Sequence, residues 1–136
     1  MKVLKKDEEK IDYDTVMIGH SLGAAFILNY LEKADKDIKA VCLVAGYHEV
    51  LENQFKELNK TFVGKKFNWN RIIENCEHFF IIGSDNDEYI PIETTRQLAV
   101  LLDAELHIIH NGGHLNSKAG FEKFPQLLEL INKSIQ

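Results

Sequence analysis

The sequence has few features that would point to a disulfide-stabilised, nucleic-acid-binding or membrane protein. Its 136 residues include two cysteines and no CxxC pair, which argues against a disulfide framework or a zinc ribbon. The formal net charge is −5, and the lysines near the N-terminus alternate with acidic residues, so no nucleic-acid interface is expected. No apolar run is long enough to span a bilayer, and the charged N-terminus lacks the apolar stretch of a secretory signal. These absences predict a cytoplasmic protein without a membrane partner.

The overall composition is that of an ordinary globular domain, with 45% hydrophobic and 27% charged residues. A chain of this length usually forms one domain around one core, so residues 1–136 are expected to be a single domain. Cys42 lies in an apolar run and is expected to be buried, and Cys76 lies near the start of another strand. Neither cysteine suggests a metal or redox site.

Short apolar runs alternate with segments of helical character along the chain. Strands are predicted at Thr15–Ile18, Ala40–Ala45, His78–Ile82 and Glu105–Ile109. Helices are predicted at Val3–Ile11, Leu22–Lys33, Glu49–Leu58, Trp69–Asn75, Ile92–Leu102 and Pro125–Ser134. Because strands that alternate with helices usually pair in parallel, the pattern predicts an α/β fold with a parallel sheet flanked by helices.

The segment Gly19-His20-Ser21-Leu22-Gly23 matches the G-x-S-x-G pattern. Such a pattern also arises by chance, but here an apolar strand precedes it and a helix follows it, as in a nucleophile elbow. The strained turn would raise the Ser21 hydroxyl above the sheet, and bulk at either flanking glycine is expected to clash with neighbouring backbone. The N–H of Leu22, near the first turn of the helix, is expected to stabilise an oxyanion.

A serine nucleophile needs a base within hydrogen-bond reach and a carboxylate that orients the base. In folds with this elbow, the acid and the histidine follow on loops after later strands. Asp87 follows the third predicted strand, and His114 follows the fourth after an Asn-Gly-Gly turn. Asp85 and Glu88 are alternative acids. Asp87 is preferred because it stands four residues before Pro91, which opens the next helix, whereas Asp85 is typical of a turn.

Three histidines near the C-terminus raise the possibility of a metal site. His107 and His110 are separated by an odd number of positions, so along a strand they would point to opposite faces. A metal shared with His114 is therefore disfavoured, and no metal or cofactor is expected. His20, inside the elbow, is expected to pack or to form a hydrogen bond rather than to catalyse.

The segment after the second predicted strand is where a lid over the active site would lie. The side chains that could line an acyl pocket, including one in the elbow, are His20, Tyr47, His48, Phe62, Phe67 and Trp69. An alternative interpretation is that the aromatic side chains simply pack this segment onto the sheet.

The motifs GHSLG (19–23), GSDNDEYIP (83–91) and NGGHLN (111–116) resemble the small α/β-hydrolases grouped around retinoblastoma-binding protein 9 and the bacterial YdeN-type proteins. The similarity extends from about Asp12 to the C-terminus. It implies an α/β-hydrolase fold, a triad of Ser21, Asp87 and His114, and small esters or peptide-like amides as substrates.

Members of that family carry a longer segment before the nucleophile strand, with a further strand and a His-Gly loop that donates a second oxyanion N–H. By this resemblance the chain is expected to be an N-terminally truncated α/β-hydrolase. Its Thr15–Ile18 strand would then form an apolar edge, which predicts pairing with another copy as a homodimer or higher oligomer.

Three functions are compatible with these observations. The first is a serine hydrolase that cleaves a small ester or amide through an acyl-enzyme. The second is a catalytically weak or inactive hydrolase-fold protein that acts as an interaction module. The third is a transferase that passes the same acyl group to an acceptor other than water.

Overall fold

The computed structural model describes residues 10–54, 56–121 and 125–134. The strands are β1 (Val16–His20), β2 (Ile38–Val44), β3 (Cys76–Ser84) and β4 (Glu105–Ile109). The helices are α1 (Leu22–Lys33), α2 (Lys56–Val63), α3 (Trp69–Glu74), α4 (Ile92–Leu102) and α5 (Pro125–Ser134), with a short 3₁₀ helix at Ser117–Ala119. The helix predicted at Val3–Ile11 lies almost wholly outside the described residues.

The four strands form one parallel sheet in the order β1-β2-β3-β4. In the register of the sheet, His20 is opposite Val44, Val44 is opposite Ile82, and Ser84 is opposite Ile109. The carboxyl ends of all four strands therefore meet at one edge, which is where ligands bind in open α/β sheets. The predicted fold of a parallel sheet flanked by helices is confirmed.

The two central strands are apolar on both faces because helices cover both sides of the sheet. On one face, α1, α3 and α4 pack in a single cluster with β2 and β3 through Leu28, Leu31, Val41, Leu43, Ile72, Ile81, Leu98 and Leu102. On the other face, α5 packs through Leu127 and Leu130 against Ala40, Cys42, Val44, Phe80 and Ile82. Because helices pack on both faces, the sheet is held rigidly, and so are the carboxyl ends of its strands, where the loops begin.

Most predicted elements agree with the structure, and the main error lies in the segment after β2. The helix predicted at Glu49–Leu58 is wrong in position, because residues 48–54 form bends and a turn and α2 is Lys56–Val63. Leu51 turns inward to pack with Tyr47, Val63 and Ile90 in a small separate core. That packing favours a loop over a continuous helix.

The helices are short, the longest described one being α1 with 12 residues. A membrane-spanning helix needs about 20 apolar residues. Within the part of the chain that the structure describes, no helix has the length and apolar character to cross a membrane.

Both cysteines are buried free thiols on the central strands. Burial raises the pKa of Cys42 and of Cys76 to about 12. Because the thiolate is the reactive form, these side chains contribute to packing and are chemically inert at neutral pH.

Candidate active site

Ser21 lies in the sharp turn between β1 and α1. Its backbone has φ 56° and ψ −117°, a strained conformation for a residue other than glycine. Two hydrogen bonds hold it there: the Ser21 N–H donates to the Val44 carbonyl at 2.9 Å, and the Ala24 N–H donates to the Ser21 carbonyl at 3.1 Å. The N–H of Leu22 begins α1 and is one of the donors that have no partner within a helix.

The two glycines of the motif are not equally constrained. A Cβ atom on Gly19 would lie 2.8 Å from the backbone carbon and oxygen of Gly23 and 2.8 Å from the Ile27 Cδ1 atom. A Cβ atom on Gly23 would meet nothing within 4 Å. The expectation that both flanking positions exclude a side chain is therefore correct for Gly19 and wrong for Gly23, because only Gly19 lies beneath the first turns of α1.

Ser21, His114 and Asp87 form a continuous line of hydrogen bonds. The His114 Nε2 atom lies 3.0 Å from the Ser21 Oγ atom, and the His114 Nδ1 atom lies 2.8 Å from the Asp87 Oδ2 atom. The side chains of His114 and Asp87 are 10% and 2% exposed. The acid–base pair is therefore shielded from water, while the imidazole still reaches the serine hydroxyl.

The carboxylate of Asp87 is fixed by its own loop. Its Oδ1 atom accepts the backbone N–H groups of Tyr89 at 2.8 Å and Ile90 at 3.1 Å. This leaves the Oδ2 atom directed at His114, and the hydrogen bonds satisfy a buried charge that would otherwise be costly.

The alternative acids lie elsewhere. The Asp85 Oδ2 atom is 2.6 Å from the His110 Nδ1 atom, and its Oδ1 atom accepts the Asn111 N–H at 2.8 Å. The Asn111 N–H and the His110 ring lower the pKa of Asp85. Glu88 is exposed. Of the three acidic candidates, Asp87 is the one that contacts His114.

Asn86 connects the loop after β3 to the loop after β4. Its Oδ1 atom accepts the Gly113 N–H at 2.8 Å and the hydroxyl of the buried Ser84 at 2.8 Å. Gly113 has φ +58°, a left-handed conformation that glycine adopts without strain. The glycine thus turns the chain so that His114 faces back over the sheet.

His20 and Tyr89 flank the His114 imidazole. The ring centroids lie 4.8 Å and 5.0 Å from that of His114, both in edge-on arrangements. The His20 Nε2 atom also lies 2.8 Å from the His114 carbonyl oxygen and donates a hydrogen bond to it. His20 therefore holds the backbone of the histidine that contacts Ser21.

A cavity of about 360 Å³ opens beside the Ser21 hydroxyl. It is lined by His20, Ser21, Tyr47, Asn53, Asn59, Tyr89, Ile90, His114 and Asn116. Sequence analysis identified His20 and Tyr47 but missed the three asparagines, Tyr89 and Ile90. Proximity to Asp87 and His114 in the sequence could have indicated Tyr89, Ile90 and Asn116, whereas no local signal marks Asn53 or Asn59.

The remaining pocket candidates pack the core and do not line this cavity. Phe67 is buried in the cluster beneath α1, with Trp69 against it at a ring distance of 5.3 Å. His48 is 8% exposed and lies edge-on to Trp69. Phe62 packs on the small core around Leu51. For these four residues the pocket expectation is corrected, because their side chains turn into core packing, whereas Tyr47, Asn53 and Asn59 of the same segment face the cavity.

The C-terminal histidines each have a separate carboxylate partner. His107 contacts Glu105 through Nε2 at 3.0 Å, His110 contacts Asp85, and His114 contacts Asp87. Over the described ranges, no group of three or more histidine, cysteine, aspartate or glutamate residues is arranged to hold a metal ion.

A parallel sheet with a serine elbow after one strand and a hydrogen-bonded carboxylate and histidine after two others defines the α/β-hydrolase fold. Residues 1–133 match the family described as serine hydrolase, and the chain belongs to that family.

Two relatives illustrate the similarity. The chain is 29% identical to YdeN of Bacillus subtilis (strain 168) over 120 residues, which cover 87% of this chain and 62% of YdeN. It is 27% identical to the serine hydrolase RBBP9 of Rattus norvegicus over 124 residues, which cover 91% of this chain and 63% of that protein. The chain thus spans less than two thirds of the length of either relative.

Solved structures agree with this assignment. The crystal structure of the ydeN gene product from B. subtilis superimposes with a TM-score of 0.92 at 27% identity, covering 98% of this chain and 72% of that one. A meta-cleavage product hydrolase from Pseudomonas fluorescens IP01 superimposes with a TM-score of 0.70 at 12% identity, covering 97% and 70%. The second likeness concerns the fold alone.

Proposed function

We propose that this chain hydrolyses an ester or amide of a small substrate through an acyl-enzyme. Ser21 Oγ attacks the scissile carbonyl as His114 Nε2 accepts its proton, and the tetrahedral intermediate then expels the alcohol or amine, which takes that proton. A water molecule next attacks the acyl-serine and passes its proton to His114. The carboxylic acid product is released, and His114 returns the proton to the Ser21 Oγ atom.

The observation that carries the proposal is the hydrogen-bonded line from the Ser21 hydroxyl through His114 to the buried Asp87 carboxylate. A serine hydroxyl is a weak nucleophile, and an adjacent base is what activates it. The 2.8 Å hydrogen bond that His114 Nδ1–H donates to the Asp87 carboxylate favours the tautomer with a proton on Nδ1, so Nε2 presents its lone pair to the serine.

The N–H of Leu22 is assigned to the oxyanion. It begins α1 directly after the nucleophile, so both the free donor and the positive end of the helix favour a developing negative charge. One such donor contributes a factor of about 10²–10³ to the rate.

Labelling with a fluorophosphonate probe, read by intact mass, tests the proposal. We expect one adduct on the parent chain and none on Ser21→Ala. Ser117→Ala removes an exposed serine of the 3₁₀ helix and should leave the labelling unchanged. A folded parent chain that takes up no adduct would contradict the proposal and would favour the interaction module.

The interaction module has one structural argument of its own. Ile18 is 53% exposed on β1, which is the last strand on its side of the described sheet. An apolar residue on an open sheet edge favours pairing with another chain. Loss of labelling together with retained self-association is the result that this alternative predicts.

A further inference from the structure

The described lining of the cavity beside Ser21 includes several hydrogen-bonding side chains on a largely apolar surface, but no carboxylate, ammonium or guanidinium group. Three carboxamides and two phenols surround the serine and the histidines: Asn53, Asn59, Asn116, Tyr47 and Tyr89. Such a surface offers hydrogen bonds without a net charge. A charged substrate group would lose its hydration there without gaining a partner of opposite sign.

The most deeply buried of these carboxamides belongs to Asn59 on α2, which is 2% exposed. The Tyr47 hydroxyl donates to the Asn59 Oδ1 atom at 2.8 Å, and Tyr47 is itself 4% exposed. Burial raises the pKa of Tyr47, so the phenol keeps its proton and remains a donor at neutral pH. Because Asn59 lines the cavity and its oxygen is occupied in this way, its Nδ2–H₂ group is the end left for a molecule in the cavity.

The side chain of Asn116 is also oriented by a hydrogen bond to its oxygen, although the partner is a different one. Its Oδ1 atom accepts the backbone N–H of Ala119 at 3.0 Å, as the cap of the 3₁₀ helix. Because that backbone group only donates, the oxygen must face it, and the amide nitrogen is the end left for a ligand. Two carboxamides from separate segments of the chain thus both have their acceptor atom occupied.

From this arrangement we propose that the cavity takes an uncharged acyl group carrying an oxygen acceptor, such as an ether or carbonyl oxygen, which Asn59 recognises. The inference rests on the proposed function, since it describes the acyl group that Ser21 would receive. A purely apolar acyl chain would bury the Asn59 donors without a partner, which disfavours it.

Direct binding tests the recognition separately from the chemistry. The Ser21→Ala protein is titrated with 4-methoxybutanamide and with hexanamide, which differ only by an ether oxygen in place of a methylene group, and the shifts of its amide resonances are followed. We expect 4-methoxybutanamide to bind roughly ten times more tightly. Equal or tighter binding of hexanamide, or no saturable binding of either amide, would overturn the inference whatever the reactivity of Ser21.

The kinetic form of the test uses the matched p-nitrophenyl esters of 4-methoxybutanoate and hexanoate, with the p-nitrophenyl monoester of adipate as the charged counterpart. We expect kcat/KM to follow the order ether, apolar, charged, with about tenfold between the first two. A chain that takes up fluorophosphonate but prefers hexanoate refutes the recognition alone. A chain that takes up none refutes the hydrolase proposal, and the amide titration then decides the recognition.

Two variants locate the effect. In Asn59→Leu the tenfold preference should vanish in both assays. Tyr47→Phe removes only the hydroxyl that orients Asn59, so it should reduce the preference with a smaller structural change. Tyr30→Phe removes a hydroxyl from an equally buried tyrosine in the core beneath α1 and should keep the full preference. A preference that survives in both cavity variants would contradict the role of Asn59.

Discussion

The side-chain oxygen of Asn86 accepts the backbone N–H of Gly113 at 2.8 Å, so the residue before the proposed acid holds the residue before the proposed base. Asp85 contacts Asn111 and Asp87 contacts His114 in the same way. Three consecutive residues of the loop after β3 therefore form hydrogen bonds with the loop after β4. Asn86 is therefore a positioning residue for His114.

Replacing Asn86 should separate positioning from stability. Asn86→Leu removes the acceptor for Gly113 and Ser84 and should lower kcat by roughly 10–100-fold, since a displacement of about 1 Å in a reacting group has an effect of this size. Asn86→Asp keeps an acceptor and should restore most of the rate. The measurement is kcat for ester hydrolysis by folded protein as a function of pH, and equal values for the two variants would exclude this role.

The two aspartates that contact histidines form a matched pair. Asp87→Asn should lower kcat by about 10³–10⁴-fold, because the amide no longer favours the productive tautomer of His114. Asp85→Asn affects a partly exposed pair with His110, and such pairs contribute little, so kcat should stay within about tenfold. Ester hydrolysis measured side by side decides between them, and a larger loss in Asp85→Asn would reverse the assignment of the acid.

The flanking glycines should respond in opposite ways to the same substitution. Gly19→Ala forces a methyl group into the backbone of Gly23 and should destabilise the fold by about 1–3 kcal/mol. Gly23→Ala places a methyl group in open space on a helix and should stabilise it by up to about 1 kcal/mol. Urea unfolding followed by circular dichroism gives both values, and similar effects at the two positions would contradict the geometry of the elbow.

His48 should make the fold sensitive to acid. Burial lowers the pKa of His48 below its ordinary value of 6.5, while Glu49 and a hydrogen bond with Gln97 oppose this shift only in part. Its Nδ1 atom is buried and has no hydrogen-bond partner among the described residues.

The sign of the effect follows from proton linkage. Below pH 6.5 the unfolded chain binds a proton that the folded chain resists, so stability rises with pH in this window. The contribution of neutral His48 to the free energy of unfolding is fully present above the pKa of the unfolded state. It decreases as the pH falls below that value, by at most about 1.4 kcal/mol per pH unit. Urea midpoints from pH 7.5 to 5 should show a shallower dependence in His48→Gln than in the parent. The same pH dependence in both proteins would contradict this role of His48.

Self-association through β1 stays a prediction. The outer edge of this strand is unpaired within the described sheet, and Ile18 on the same strand has an exposed apolar side chain. We expect sizing with light scattering to give a dimer or larger species at micromolar concentration and Ile18→Lys to dissociate it. Val100→Lys, at an 80% exposed position on α4, is the matched control and should leave it intact. A strictly monomeric parent would refute the prediction.

Local sequence patterns were sufficient to predict the sheet and most helices. They were also sufficient to predict that Ser21, Asp87 and His114 lie together. Pro91 marked the start of α4, and the β1–Gly19–α1 context marked the elbow. Local patterns gave a wrong helix after β2. There Leu51 turns inward to pack with Val63 and Ile90, and these contacts join parts of the chain that are distant in the sequence. Asn59 was missed for the same reason: an asparagine usually indicates a turn or an exposed position, and only tertiary packing against Tyr47 buries it beside the serine.

The order of the strands has a consequence for how this site can vary. Asp87 and His114 follow the neighbouring strands β3 and β4, whereas Ser21 follows β1, with β2 in between. The distance between the Ser21 hydroxyl and the His114 imidazole therefore depends on the register of the strands across the sheet. The hydrogen bond from the Ser21 N–H to the Val44 carbonyl fixes the position of Ser21 relative to β2. A slip of one residue displaces a strand by about 3.3 Å, more than a hydrogen bond tolerates. Insertions in peripheral loops should consequently be far less harmful than any change in the pairing of β1 with β2.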